Sequence, residues 1–331
     1  MKVLVFGGAG YIGSHFCHLA ADAGHDIVVF DDFSAGHRPF VEKFRVIEGD
    51  VADAVVLDKA LKEGFDAVCH FAGRISVAES VNNPSLYARS NFENTQTILS
   101  ALRQRGVERI IFSSTAAVYS SDASSLKLSE NAEIKPMNPY GTSKLLAERA
   151  IDNWVEGDKC NRAVVFRYFN AAGAGTDYGL GEAHDPETHL IPNAIYSGLG
   201  VVADPLMVFG SDYPTKDGTC VRDFVHVLDI ASAHLLALNL MDDLRDRFSC
   251  FNLGSGYGFT VGEVIAECER QLGLVIPKVG APRRDGDLPR LVASSDRARE
   301  VLGWQPLNSS LENIVATAVE WHRNIQPRVF A

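Results

Sequence analysis

The chain is short of positive charge, of paired cysteines and of long apolar runs, and each shortage removes a class of function. Lysine and arginine number 31 against 42 aspartates and glutamates, for a formal net charge of −11. A nucleic-acid surface or an anionic membrane surface needs clustered cations, so neither partner is expected. A small anion met by a few local arginines stays compatible with that balance. No apolar run approaches the length of a bilayer span. The opening MKVLVFGGAG goes straight into a strand and a glycine turn, without a cleavable signal pattern. The six cysteines (Cys17, Cys69, Cys160, Cys220, Cys250 and Cys268) are scattered and form no CxxC pair. That spread fits reduced thiols better than a disulfide frame or a zinc site, and a cytoplasmic location is expected.

What is present is enough apolar material for a large core, 46% of 331 residues. The runs Val3–Phe6, Ile27–Phe30, Phe44–Ile47, Ala67–Phe71, Arg109–Ser113 and Ala163–Tyr168 read as strands. Tyr11–Ala23, Ser85–Arg105 and Pro139–Glu156 between them read as helices. Near-continuous apolar strands alternating with helices predict an α/β fold, a Rossmann-type doubly wound parallel sheet covered on both faces. After Asn170 the rhythm breaks. Asn170–His189 is rich in Gly, Ala, Asp and Thr, as in a functional loop or a domain boundary. Helices are expected beyond it at Asp229–Leu240, Val261–Leu272 and Leu311–Arg323.

Gly8-Ala9-Gly10-Tyr11-Ile12-Gly13 fits G-x-G-x-x-G, and Gly7 adds the Gly7-x-x-Gly10-x-x-Gly13 spacing. The motif follows a strand and opens a helix, the context in which glycines admit a pyrophosphate to a helix N-terminus. The next strand ends in Phe30-Asp31-Asp32, at the distance expected of a ribose-binding carboxylate. A carboxylate there repels a 2′-phosphate and favours NAD over NADP. Glu48-Gly49-Asp50-Val51 offers Asp50 to an adenine amine. Phe71-Ala72-Gly73 ends another strand, where small residues let backbone pass close to a cofactor. Further on, NPYGTSKLLAER (Asn138–Arg149) sets Tyr140 and Lys144 one turn apart, behind the N-cap Asn138 and Pro139. Two readings stand at this point: a packed tyrosine beside a solvated lysine, or an acid–base tyrosine tuned by an ammonium.

Together with EGD, HFAG, FSSTAAVY (Phe112–Tyr119), RYFNAAGA (Arg167–Ala174), FGSDYPTKDGTCVRDFVHVLDIA (Phe209–Ala231), NLGSG and APRRDGD (Ala281–Asp287), these motifs span nearly the whole chain. They resemble the extended short-chain dehydrogenase/reductases and, within them, the nucleotide-sugar 4-epimerases. The resemblance implies an isomerase with tightly bound NAD that inverts C4 of UDP-glucose and UDP-galactose through a transient 4-keto sugar. It implies an NAD-binding domain over residues 1–170, to which the chain returns around 220–255, and a mostly UDP-sugar-binding domain over 171–331. Tyr140, Lys144 and Thr115 become the catalytic group. Lys144 and NAD+ are expected to bring the Tyr140 phenol below its ordinary pKa of about 10.

Cofactor contacts follow at Gly7, Gly10, Tyr11, Ile12 and Gly13, at Asp31, Asp32, Phe33, Ser34 and Gly36, and at Asp50 and Val51. They continue at Phe71, Ala72, Gly73, Arg74, Ser90, Lys144 and Phe169. On the UDP-sugar the resemblance implies Arg222, Arg284 and Asn170 at the diphosphate, with Val208 and Phe209 along the uracil slot. Asp287 meets the uridine ribose, Thr115 and Tyr140 the sugar O4, and His189, Leu190 and Leu291 the rest of the pocket. A homodimer is expected through the helices Ser85–Arg105 and Pro139–Glu156.

Several positions depart from the best-known bacterial pattern. Arg74-Ile75 stands where that pattern has Leu-Lys, and Ser90, next to Asn91, where it has a cofactor-binding asparagine. Leu291 fills a wall position that is a large tyrosine in some members and small in others, so N-acetylated sugars are expected to fit, though not freely. UDP-N-acetylglucosamine and UDP-pentoses stand as alternative substrates. Thr115-Ala116-Ala117 lacks the acid that follows the catalytic Ser/Thr in 4,6-dehydratases and UDP-glucuronate decarboxylases, which favours epimerisation. A non-catalytic NAD(H)-sensing regulator usually loses the tyrosine or the lysine, and this chain keeps both. The HDPETH stretch, flanked by His184 and His189, matches no standard zinc signature, so no metal is expected. His15 and His18 share a helix face and read as packing residues.

Overall fold

A computed structural model describes residues 1–120, 127–284 and 287–330. Its strands are β1 (Lys2–Phe6), β2 (Asp26–Asp31), β3 (Arg45–Glu48), β4 (Ala67–His70), β5 (Arg109–Thr115), β6 (Arg162–Tyr168), β7 (Asn170–Ala172), β8 (Leu206–Phe209), β9 (Val221–His226), β10 (Phe248–Leu253), β11 (Gly258–Thr260), β12 (Lys278–Ala281) and β13 (Arg290–Leu291). Seven of them make one parallel sheet in the order β3-β2-β1-β4-β5-β6-β10.

Alternation along β1 explains why its residues are apolar without a polar face. Val3 and Val5 enter one core with Phe16, Ile230, Ala233 and Phe251. Leu4 and Phe6 enter the opposite core with Leu57, Ile98, Ala147, Ile151 and Trp154. A strand buried on both sides cannot carry the polar half of a period-2 pattern. The helices Tyr11–Asp22 and Val227–Leu240 pack together over the first face. Ala54–Leu61, Asn94–Arg105 and Pro139–Glu156 cover the second.

Local signals set several helix ends. Asn138 Oδ1 accepts the Gly141 N–H at 2.8 Å and starts the helix at Pro139, as expected from its sequence. Thr260 and Glu263 cap each other reciprocally at the start of Val261–Leu272, which ends at Gly273 in the left-handed region.

The expected single helix Ser85–Arg105 is interrupted. Pro84–Tyr87 leads into a wide π turn at Ala88–Glu93, and regular helix resumes at Asn94. The reason is Asn91, which is 1% exposed. Its Oδ1 accepts the Arg74 N–H at 2.8 Å, and its Nδ2 donates to Arg74 O and to Ser143 Oγ, both at 3.0 Å. Such turns recur at functional sites.

Strand β10 is not among the runs that read as strands from their sequence. It pairs with β6 from Phe248↔Ala163 to Leu253↔Tyr168 and closes that edge of the sheet. Beyond β6, a single residue, Phe169, carries the chain into β7, which pairs with β9 between β11 and β13. β8 and β12 make a separate parallel pair. No helix among the described residues is long and apolar enough to cross a membrane.

Candidate active site

The strand order reverses between β1 and β4, and ligands of such sheets bind in the crevice at that switch point, beyond the strands' carboxyl ends. The two ends nearly touch. Gly7 has φ 74°, and a Cβ there would lie 2.5 Å from the Ala72 nitrogen. A side chain at Gly13 would run into the Gly7 carbonyl oxygen. At Gly10, by contrast, a Cβ would meet only that oxygen, at 3.4 Å. The helix opens there with no side-chain cap and no acid in its first turn. Among the described residues no side chain caps the Tyr11 and Ile12 N–H groups there, which fits a dinucleotide pyrophosphate. Tyr11 itself points elsewhere: its hydroxyl donates to Gly173 O at 2.6 Å and ties the turn to the second half.

Asp31 is buried at the end of β2. It accepts the Ala9 and Phe33 N–H groups, each at 2.9 Å, and each oxygen keeps a lone pair for a ribose hydroxyl. Phe33 sits at φ 57°, and Gly36 fits against Ala9 and Asp31. Asp32 accepts both the N–H and the hydroxyl of Ser34, at 2.8 and 2.6 Å. Arg38 lies over the Phe33 ring at 4.0 Å, but Glu48 pairs it at 2.6 Å. This edge offers a carboxylate beside an already neutralised cation, a poor host for a 2′-phosphate. Asp50 is exposed and caps the Ala52 N–H at 2.8 Å, with Val51 half-buried beside it.

At the end of β4, half-buried Phe71 and Ala72 lead to Gly73, whose φ of 152° and whose Asn91 neighbour leave no room for a side chain. The Arg74 guanidinium turns to Glu79 at 3.3 Å. Ser90 donates to Leu86 O at 2.9 Å, within its own helix, so the inward place that its sequence position suggested belongs to Asn91.

Thr115 ends β5, directly beside Tyr168 at the end of β6. Tyr140 lies close enough to the Thr115 side chain for that group to favour its phenolate. Lys144, one turn on and 4% exposed, donates to Ser113 O at 2.9 Å. Burial lowers the Lys144 pKa to about 8, against an opposing pull from Glu148. The sequence expectation of a Tyr140 phenol below its ordinary value does not hold for the protein by itself. Burial raises it, and the Thr115 side chain offsets only part of the rise.

The second half packs on the residues that follow Thr115. Phe169 and partly buried Leu291 join Ala116, Val118 and Tyr119 in one apolar cluster. Asn170 donates to Asp223 O at 2.7 Å. Arg222, opposite Leu291 in the β9–β13 register, pairs with Asp287 at 2.9 Å and donates to Leu288 O at 2.8 Å. Exposed Arg284 stacks 3.9 Å from the Phe209 ring at the end of β8, beside half-buried Val208. Asp285 and Gly286, inside the APRRDGD motif, lie outside the described residues. Leu190 begins the helix Leu190–Leu199 and packs on the C-terminal core, with His189 as its N-cap. His15 and His18 pack as expected, with His15 accepting the Gly175 N–H at 2.9 Å and His18 bonded to Phe40 O at 3.0 Å.

A buried charge network under the trio is not evident in the sequence. Glu148, one turn past Lys144, pairs with Arg167 at 2.6 Å, with both side chains at most 7% exposed. Ser114 donates to Glu148, Arg167 to the Tyr119 hydroxyl at 3.2 Å, and Tyr119 to Asn252 at 2.6 Å. The one sequence signal for it is an arginine inside the otherwise apolar run Ala163–Phe169.

Comparison with known proteins agrees with this geometry. Residues 3–254 match the model of the NAD dependent epimerase/dehydratase family. A UDP-glucose 4-epimerase of Lacticaseibacillus casei is 42% identical over 326 residues, 98% of this chain and 97% of that protein. The UDP-glucose 4-epimerase of Brucella ovis, solved in complex with NAD, superposes with a TM-score of 0.92 at 41% identity, over 96% of this chain and 97% of that one. The UDP-glucose 4-epimerase of Stenotrophomonas maltophila, with bound NAD and formylated UDP-arabinopyranose, gives 0.93 at 35% identity, over 99% of each chain. With the crevice, the trio and full-length similarity in agreement, the chain belongs to the NAD dependent epimerase/dehydratase family.

Proposed function

We propose that this chain is an NAD-dependent UDP-glucose 4-epimerase that interconverts UDP-glucose and UDP-galactose. The observation that supports it most is the Thr115–Tyr140–Lys144 group at the carboxyl end of β5, opposite a second half carrying Arg222 and Arg284. Bound NAD would supply the hydride acceptor and donor for the sugar C4. Gly7, Gly10, Gly13, Asp31, Asp50 and Gly73 would hold it, with Lys144 at its nicotinamide ribose.

Tyr140 takes the O4 proton as C4 becomes a carbonyl, and returns it when the 4-keto sugar is reduced on its other face. Thr115 orients that oxygen. Lys144 lends positive charge to the phenolate. Arg222, Arg284 and Asn170 hold the diphosphate, guanidinium being suited to paired phosphate contacts. Phe209 lies along the uracil, and Asp287 receives the uridine ribose. Leu291, against Ala116 and Tyr119, limits the room beside the sugar, so an acetamido group is accepted less readily than a hydroxyl. The reading includes a cytoplasmic homodimer, through the segments Ser85–Arg105 and Pro139–Glu156.

The test is to incubate purified protein, with no cofactor added, with UDP-galactose and separately with UDP-N-acetylgalactosamine. Products are followed by chromatography, and the same preparation is sized in solution. Conversion of UDP-galactose by a dimer is the expected result. No conversion of either, even after NAD is added, would sink the hexose reading.

Lys144 adds a pH expectation. Its charge is present below about 8 and lost above, because burial depresses its pKa. The kcat/KM profile, which reports the free enzyme, should therefore fall on the alkaline side near that value. In Lys144→Arg, whose side chain stays charged, the fall should vanish. A limb that persists there belongs to another group.

A further inference from the structure

We infer that Glu182, His184, Glu187 and His189 form a binding site for a divalent transition metal, with Zn2+ as the best fit. One donor atom from each lies within 4.8 Å of all the others. Glu182 Oε1 is 3.0 Å from His184 Nδ1 and is hydrogen-bonded to His189 Nδ1. Glu187 Oε1 is 3.6 Å from His189 Nδ1, and its Oε2 is 4.0 Å from His184 Nδ1. Ligands at about 2.0–2.2 Å from a tetrahedral Zn2+ stand roughly 3.3–3.5 Å apart. Side-chain movements of about an ångström would close this set on an ion.

An independent observation points the same way. The Glu187 side chain is 6% exposed, and its Oε2 has no hydrogen-bond partner among the described residues. Its Oε1 accepts the Thr188 and His189 N–H groups at 2.7 and 2.8 Å, which fixes the carboxylate with Oε2 on the cluster side. A buried carboxylate oxygen without a donor costs free energy, and an ion between it and His184 removes that cost. His184 and His189 are 22% and 45% exposed, so solvent reaches the site.

Two imidazoles with two carboxylates suit Zn2+ among the common ions, and four protein ligands leave no open position. The role is therefore structural. Glu182 O accepts the Trp321 indole N–H at 2.7 Å, and the Tyr11 ring lies edge-on to His184 at 6.1 Å. An ion here would fasten the segment before the helix Leu190–Leu199 to the glycine turn and to the C-terminal helices. The sequence expectation of no metal rests on the spacing within HDPETH and on a reaction that needs none. The fourth ligand, Glu182, stands outside that stretch.

The test uses the full chain after chelator treatment. Zn2+ alone is titrated in competition with a chromophoric chelator, and the visible spectrum is recorded with Co2+. The expected result is one ion per chain, the intense band of four-coordinate Co2+, and a Tm higher by roughly several degrees at saturation. His184→Ala and Glu187→Gln should each weaken binding by at least about 100-fold, beyond what outer partners of a metal site contribute. No stoichiometric ion in the unmodified chain, a weak octahedral Co2+ spectrum, or affinity unchanged by both substitutions would overturn the site. Stoichiometry and spectrum come from the unmodified chain, so they decide the matter even where a variant misfolds.

Discussion

Tyr140→Phe is expected to lower kcat for UDP-galactose by about 10²–10⁴-fold, the usual worth of a positioned acid–base group. The substitution removes one oxygen. The ring keeps its edge contact with Tyr87, at 6.3 Å between centroids, and the helix keeps its Asn138 cap. Without the phenol the O4 proton has no acceptor beside Thr115, so the loss should fall on kcat. The KM should change little, because Arg222, Arg284 and Asn170 grip the far end of the substrate. Steady-state rates, with the NAD content of the purified variant, check both halves. A kcat within tenfold of the original would mean that another group moves the proton.

Arg167→Met should cost about 3–5 kcal/mol of stability, the range for a buried ion pair that loses one partner. Glu148 would keep its charge at 4% exposure with Ser114 as its one remaining donor among the described residues. For a chain of this size the melting temperature should fall by roughly 4–7 °C. Arg167→Met combined with Glu148→Leu should recover much of the loss, since apolar side chains replace such pairs at little cost. A kinetic consequence separates this network from ordinary core packing. Glu148 already raises the Lys144 pKa. Freed of Arg167, it should raise it further and move the alkaline limb of kcat/KM to higher pH. A single variant that melts within a degree or two of the original would show that the pair does not clamp the site.

Much of this protein is legible from local order. The apolar runs of the first half mark strands with both faces buried. The glycine spacing marks a turn between a strand and a helix, and Asn138-Pro139 marks a helix start that the structure reproduces. Each of these depends on a residue and its near neighbours along the chain: a φ value, a cap, a period of two or of 3.6.

The tertiary structure decided the rest. Phe248–Leu253 gives no sign that its partner is β6, some eighty residues earlier in the sequence. Whether Ser90 or Asn91 faces the crevice turns on a π turn that only the demands of Arg74 and Ser143 explain. Arg167 meets Glu148 because a charge removed from water must meet whatever the fold places opposite it. The same burial raises the Tyr140 phenol and lowers the Lys144 ammonium. Spacing along the chain names these groups, but their partners and their charge depend on which chain segments pack over them.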